Sequence, residues 1–186
     1  MTPSSQSSDA LLTLLERERS EFLNAFSRVP AAHQGQRPSP DVWSAVEVLD
    51  HVTRVERGVV RILGAAHTGE LPLGTAEKAL NAPLPPVMVE QVRDRTNRRE
   101  APERVRPTGV VAAEAALEAL SQSRAALLAA YQTATPEALD GSSFPHPFFG
   151  PLTPRAWVEL TAHHDARHAG QLAELAEKSG ARPGPE

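Results

Sequence analysis

Apolar residues recur every three or four positions along four long stretches of the chain, the spacing that collects them on one side of an α-helix. The first stretch covers residues 9–28 and aligns Leu11, Leu12, Leu15, Phe22 and Phe26, with Asp9 placed to cap it. The second covers residues 44–66. Ser44 and Glu47 have the spacing of a capping box, in which each satisfies a free backbone donor of the first turn, and Val48, Val55, Val59 and Ile62 supply the inward face. The third, residues 111–133, is rich in Ala and Leu, both strong helix formers. The fourth opens at Thr153-Pro154, a cap residue followed by a first-turn proline, carries Trp157, Leu160, Leu172 and Leu175, and ends near Ser179-Gly180. No segment shows the two-residue alternation of a strand.

The connections are unequal. Residues 69–109 form a long link whose Pro72, Pro83, Pro85, Pro86, Pro102 and Pro107 forbid one continuous helix, although residues 87–97 suit a short one. Another proline-rich link, Pro145-His146-Pro147-Phe148-Phe149-Gly150-Pro151, leads into the last helix. Four amphipathic helices with one long crossover predict an all-α four-helix bundle, a fold whose interior hosts sites built from facing side chains. The expected organisation is a single domain over residues 9–179, between flexible tails at 1–8 and 180–186.

At 186 residues the chain is long enough for one sizeable core. A net charge of −4 and a pI near 6.0 offer no general attraction to nucleic acid or anionic membranes. There is no apolar run of bilayer length and no signal-peptide pattern, so a cytoplasmic protein is expected. The absence of cysteine removes disulfides, thiolate ligands and a Cys nucleophile.

Histidine carries the chemistry that remains. His164 and His168 lie four residues apart in His164-Asp165-Ala166-Arg167-His168 and share a helix face with Trp157, Leu160 and Leu175. His51 occupies the inward face of the second helix. Three imidazoles in an apolar interior are costly unless their nitrogens are satisfied, and a shared divalent ion satisfies them together. The competing reading is three core histidines bonded to backbone or carboxylate groups. Glu47, Asp165 and Gln171 are candidates to brace the ligands from behind. His163 points off this face, and His33, His67 and His146 fall in loops or at helix ends. His146, with Phe148 and Phe149, is placed to shape a substrate pocket. The basic run from Arg93 to Arg106 reads as a solvated surface, or alternatively as a means of capturing an anionic substrate.

These motifs resemble those of a known family. The segment Trp43-Ser44-Ala45-Val46-Glu47-Val48-Leu49-Asp50-His51-Val52 is similar to the second-helix signature of the DinB-like (DinB/YfiT) metalloenzyme superfamily. His146-Pro147-Phe148-Phe149-Gly150-Pro151-Leu152-Thr153, then Trp157 and His164-Asp165-Ala166-Arg167-His168-Ala169-Gly170-Gln171, resembles its last-helix signature. The likeness in helix order extends over residues 9–178. It implies an up-down-down-up bundle, often a homodimer, with a divalent metal held by His51, His164 and His168. Zinc or nickel is implied, and three imidazoles also suit iron, cobalt or copper. The activity it implies is that of a transferase, a metal-dependent enzyme activating a low-molecular-weight thiol for transfer to an electrophile. A metal-dependent hydrolase of a small amide or ester, or a non-enzymatic metal-binding stress-response protein, are the alternatives. No partner nucleic acid or membrane is expected.

Overall fold

The computed structural model describes residues 3–69, 74–97, 99–109 and 112–180, with backbone alone for 3–8. Four long helices build the bundle: α1 (Pro3–Ser27), α3 (Ala45–Thr68), α5 (Ala113–Thr133) and α7 (Pro154–Gly180). Three short ones, α2 (Ala31–Gln34), α4 (Pro86–Arg93) and α6 (Pro136–Asp140), lie in the connections. Helical backbone starts at Pro3, six residues ahead of the expected Asp9. Of the expected tails, Met1, Thr2 and residues 181–186 lie outside the described residues.

The helix ends follow from local chemistry. Ser44 Oγ accepts from the Glu47 N–H at 3.2 Å, and the Ser44 N–H donates to Glu47 Oε2 at 2.9 Å, closing the capping box of α3. Gly69 ends α3 with φ of 72°, a left-handed conformation that glycine adopts without a Cβ clash. Thr153 Oγ1 accepts from the Ala156 N–H at 3.2 Å and so caps α7.

Two apolar clusters fix the helix directions. One gathers Leu11 and Leu15 of α1, Val59 and Ile62 of α3, Leu127 and Tyr131 of α5, and Val158 and Ala162 of α7. The other gathers Phe22 and Phe26, Val48 and Val52, Ala116 and Leu120, and Leu172 and Leu175. Early residues of α1 and α7 thus meet late residues of α3 and α5, and the reverse holds at the other end. That is the up-down-down-up arrangement, with the long crossover joining the parallel pair α3 and α5.

A buried charged layer separates the clusters. Arg19 of α1 donates through Nε to Asp165 Oδ2 at 3.0 Å and through Nη2 to Glu56 Oε1 at 2.7 Å. Arg124 Nη2 reaches Asp165 Oδ2 at 2.7 Å and Glu56 Oε1 at 2.6 Å, and Ser123 Oγ donates to Glu56 Oε2. All four long helices contribute, and the two cations balance the two carboxylates.

Contrary to the sequence reading, there are strands. β1 (Gly74–Thr75), β2 (Ser142–His146) and β3 (Gly150–Leu152) form a small antiparallel sheet in that order. Residue Pro145 stands opposite Pro151 in the register of β2 and β3. Strands of two to five residues punctuated by proline are too short to display alternation, which is why they read as loop. The crossover is stapled to this sheet: the Leu80 N–H donates to the Pro151 carbonyl at 3.0 Å, and the Thr153 N–H to the Leu80 carbonyl at 2.9 Å. Within the crossover, α4 packs on α7, and a 3-10 turn at Glu103–Val105 packs on α3.

Candidate metal centre

His51 from α3 and His164 and His168 from α7 converge. His164 Nε2 stands 3.1 Å from His51 Nε2 and 3.1 Å from His168 Nε2, and the three donor atoms all lie within 4.8 Å of one another. Tetrahedral ligation at zinc–nitrogen lengths would separate such atoms by roughly 3.3 Å.

The far side of two rings decides what these nitrogens can do. His51 Nδ1 donates to the Val105 carbonyl at 2.7 Å, so its Nε2 presents a lone pair. His168 Nδ1 donates to Gln171 Oε1 at 2.8 Å, which leaves its Nε2 likewise unprotonated. A neutral His164 has at most one proton at Nε2 to offer two such neighbours. Burial holds all three imidazoles below their usual pKa of 6.5, His164 and His168 well below it. Their mutual proximity lowers His164 and His168 further. Neutral imidazoles with converging lone pairs are the donor set of a divalent metal site.

The cluster forms one wall of a cavity of about 730 Å³. Trp43 packs beside His51 at 4.9 Å between ring centroids, and Trp157 beside His146 at the same distance. His146 stacks on Phe149 at 4.8 Å and an interplanar angle of 26°. Its Nδ1 accepts from the Phe148 N–H at 3.2 Å, so Nε2 carries the proton. Burial, with Arg99 and Arg104 nearby, lowers the His146 pKa to about 4. His146, Phe148 and Phe149 line the same cavity as His51, His164 and His168.

Of the three bracing candidates, Gln171 touches His168, while Glu47 and Asp165 are held elsewhere. Glu47 completes the capping box and takes the Arg37 guanidinium, with Arg37 Nη2 at 2.5 Å from Oε1. Asp165 turns to the opposite side of α7 and belongs to the charged layer. His163 also faces away: its Nδ1 accepts from Arg93 Nη2 at 2.9 Å, and the same nitrogen of Arg93 reaches Glu18 at 2.8 Å. This contact ties α4 to α1 and α7.

Sequence reasoning missed the Val105 carbonyl, because a backbone acceptor leaves no trace in residue type. It also left the role of Arg167 unread. That guanidinium donates to the backbone carbonyls of Val92, Asp94 and Asn97 and so fixes the cavity wall next to His168.

A helical bundle whose parallel and antiparallel pairs bring three neutral imidazoles into one open cavity defines a class of candidate metal-binding bundles. The sequence matches the DinB superfamily over residues 14–172, and the chain belongs to that superfamily. It is 28% identical over 171 residues to YuaE of Bacillus subtilis (strain 168), itself described as uncharacterized, covering 90% of this chain and 98% of that protein. It also resembles the crystal structure of TT2238, a four-helix bundle protein, at a TM-score of 0.58 and 25% identity, over 88% of this chain and 96% of the other.

Proposed function

We propose that the protein is a metal-dependent enzyme in which His51, His164 and His168 hold a divalent ion and a low-molecular-weight thiol is activated for transfer to an electrophile. The observation that carries the reading is the convergence of three imidazole nitrogens, two of them braced at Nδ1, on an open cavity. Held by these three imidazoles, a zinc or nickel ion would supply the Lewis acidity that lowers the pKa of a thiol. The chain does the rest. Val105 and Gln171 orient the ligand rings, Trp43 and Trp157 exclude water, and the Nε2–H of His146 offers a hydrogen bond to an electrophile. Since the chain contains no cysteine, the thiol must come from outside.

The hydrolase reading has less behind it. It needs a general base beside the ion, and the two acidic residues that the sequence offered for the task, Glu47 and Asp165, are engaged in ion pairs elsewhere. His146 is a donor at Nε2 and its Nδ1 is already taken.

Elemental mass spectrometry on untagged protein is expected to find near-stoichiometric metal that is lost in a folded His51→Ala/His164→Ala/His168→Ala variant. Conjugation of small thiols to a chromogenic electrophile should then fall to background in His168→Ala. Unchanged turnover in that variant, with its helicity intact by circular dichroism, would overturn the proposal. Activity without any thiol would favour hydrolysis, and metal that alters stability without turnover would favour a binding role. The homodimer belongs to the same proposal and is tested by light scattering.

A further inference from the structure

The cavity beside the imidazoles is basic in an acidic protein. Among the described residues, seven cationic side chains and three carboxylates line it, while the chain as a whole carries −4. Several of those cations are committed to the architecture. Arg95 pairs with Glu174 through two bonds of 2.8 and 2.7 Å, Arg106 pairs with Glu100, and Arg167 holds backbone carbonyls.

Arg99 is different. Its guanidinium carbon lies 5.2 Å from the Phe148 ring centroid and 4.9 Å from that of Phe149. It is half-buried, and no acceptor is assigned to it among the described residues. Stacking engages the face of a guanidinium and leaves the N–H donors around its edge free to grip an oxyanion. Phe148 is half exposed, at 50%, which leaves this stack accessible to solvent. Arg104 lines the same cavity, and the effect of both arginines on His146 places the three groups together.

We propose that Arg99, held by Phe148 and Phe149 and joined by Arg104 and the Nε2–H of His146, forms an anion-binding subsite. It takes the carboxylate or phosphate of a small molecule whose other end reaches the three imidazoles. Only that last clause rests on the metal reading above; the subsite itself stands on the stacked guanidinium, which has no acceptor among the described residues. The aromatic rings would hold the arginine in place before the ligand arrives, so little side-chain entropy is lost on binding.

The chain's two tryptophans, Trp43 and Trp157, both line this cavity, so intrinsic fluorescence reports its filling. The full-length protein would be titrated, metal-free and zinc-loaded, with succinate, inorganic phosphate, mercaptosuccinate and the uncharged thiol 2-mercaptoethanol. A saturable response to succinate or phosphate is expected in both forms. It should weaken with added salt and weaken about ten-fold or more in Arg99→Gln. Comparing succinate with phosphate identifies which anion the subsite prefers. No saturable response to any of the three anions, or equal affinity in Arg99→Gln and the unaltered protein, would overturn the subsite. Zinc-dependent binding of mercaptosuccinate and 2-mercaptoethanol with equal affinity would also overturn it while leaving the thiol reading intact. Anion binding with no zinc-dependent response to either thiol would do the opposite. Arg104→Gln, on an exposed side chain, gives a second variant and should weaken succinate less than Arg99→Gln does.

Discussion

Replacing Asp165 with Asn keeps the shape of the side chain and removes its charge from the middle of the bundle. Asp165 accepts from Arg19 Nε at 3.0 Å, Arg19 Nη2 at 3.3 Å and Arg124 Nη2 at 2.7 Å. An asparagine presents one acceptor and one NH₂ group, and the NH₂ faces guanidinium donors. The buried layer, neutral with two arginines and two carboxylates, is left with one uncompensated positive charge. Removing one partner of a buried pair costs roughly 3–5 kcal/mol. Burial pushes the Asp165 carboxyl up to about 6 against the pull of both arginines, so its ionised form is only modestly favoured at neutral pH. The lower end, about 3 kcal/mol, is therefore expected, which corresponds to a fall in Tm of roughly 6–12 °C for a domain of this size.

Arg124→Met should cost a similar amount by stranding a carboxylate. Combining the two leaves Arg19 facing Glu56 at 2.7 Å as a neutral pair. The double variant should then be destabilised by about 3–4 kcal/mol, well short of the sum. Urea unfolding followed by circular dichroism measures all three variants, provided the m-value is unchanged. Additivity within about 0.5 kcal/mol would refute the claim that these residues act as one network.

Acid should destabilise the metal-free protein. Burial holds His51, His146, His164 and His168 below their usual 6.5, so as pH falls through 6.5 the unfolded chain binds protons that the folded one refuses. Asp165 opposes this between about 6 and 3.8, because its raised pKa makes the folded state the better proton acceptor there, but the histidines outnumber it. Urea midpoints measured from pH 7 to 5 should fall steadily, and less steeply in the His51→Ala/His164→Ala/His168→Ala variant; a flat profile would contradict the burial argument. Gln171→Ala removes the acceptor that orients His168 and should weaken zinc affinity about 10–100-fold in competition with a chromogenic chelator, without unfolding the protein. Ser44→Ala opens the capping box at the start of the helix that carries His51 and should cost about 1 kcal/mol in urea denaturation.

The long helices were legible because each carries apolar residues at helical spacing, and two have recognisable starts: Ser44 with Glu47 for α3, Thr153 with Pro154 for α7. The three imidazoles were legible for the same reason, since helical periodicity alone sets His51, His164 and His168 facing inward. What could not be read lies in the crossover. Its short helix was expected from residues 87–97, but its 3-10 turns and its first strand are held by contacts with distant residues, such as Leu80 with Pro151. Such contacts leave no local pattern. Asp165 shows the limit of reading by proximity. It neighbours His164 in sequence, but one step along a helix turns a side chain by about 100°, and it serves the opposite face.

That opposite face has a consequence for the imidazoles. Helices bound only by greasy side chains can slip past one another by a turn and find nearly equivalent packing. Here a slip of α7 against the other helices would carry Asp165 about 5.4 Å from Arg19 and Arg124, stranding its carboxylate and leaving two guanidiniums to share Glu56. The charged layer thus behaves as a detent, permitting one axial setting and penalising its neighbours. His164 is the very next residue, so the same setting that docks Asp165 delivers His164 and His168 to the height of His51.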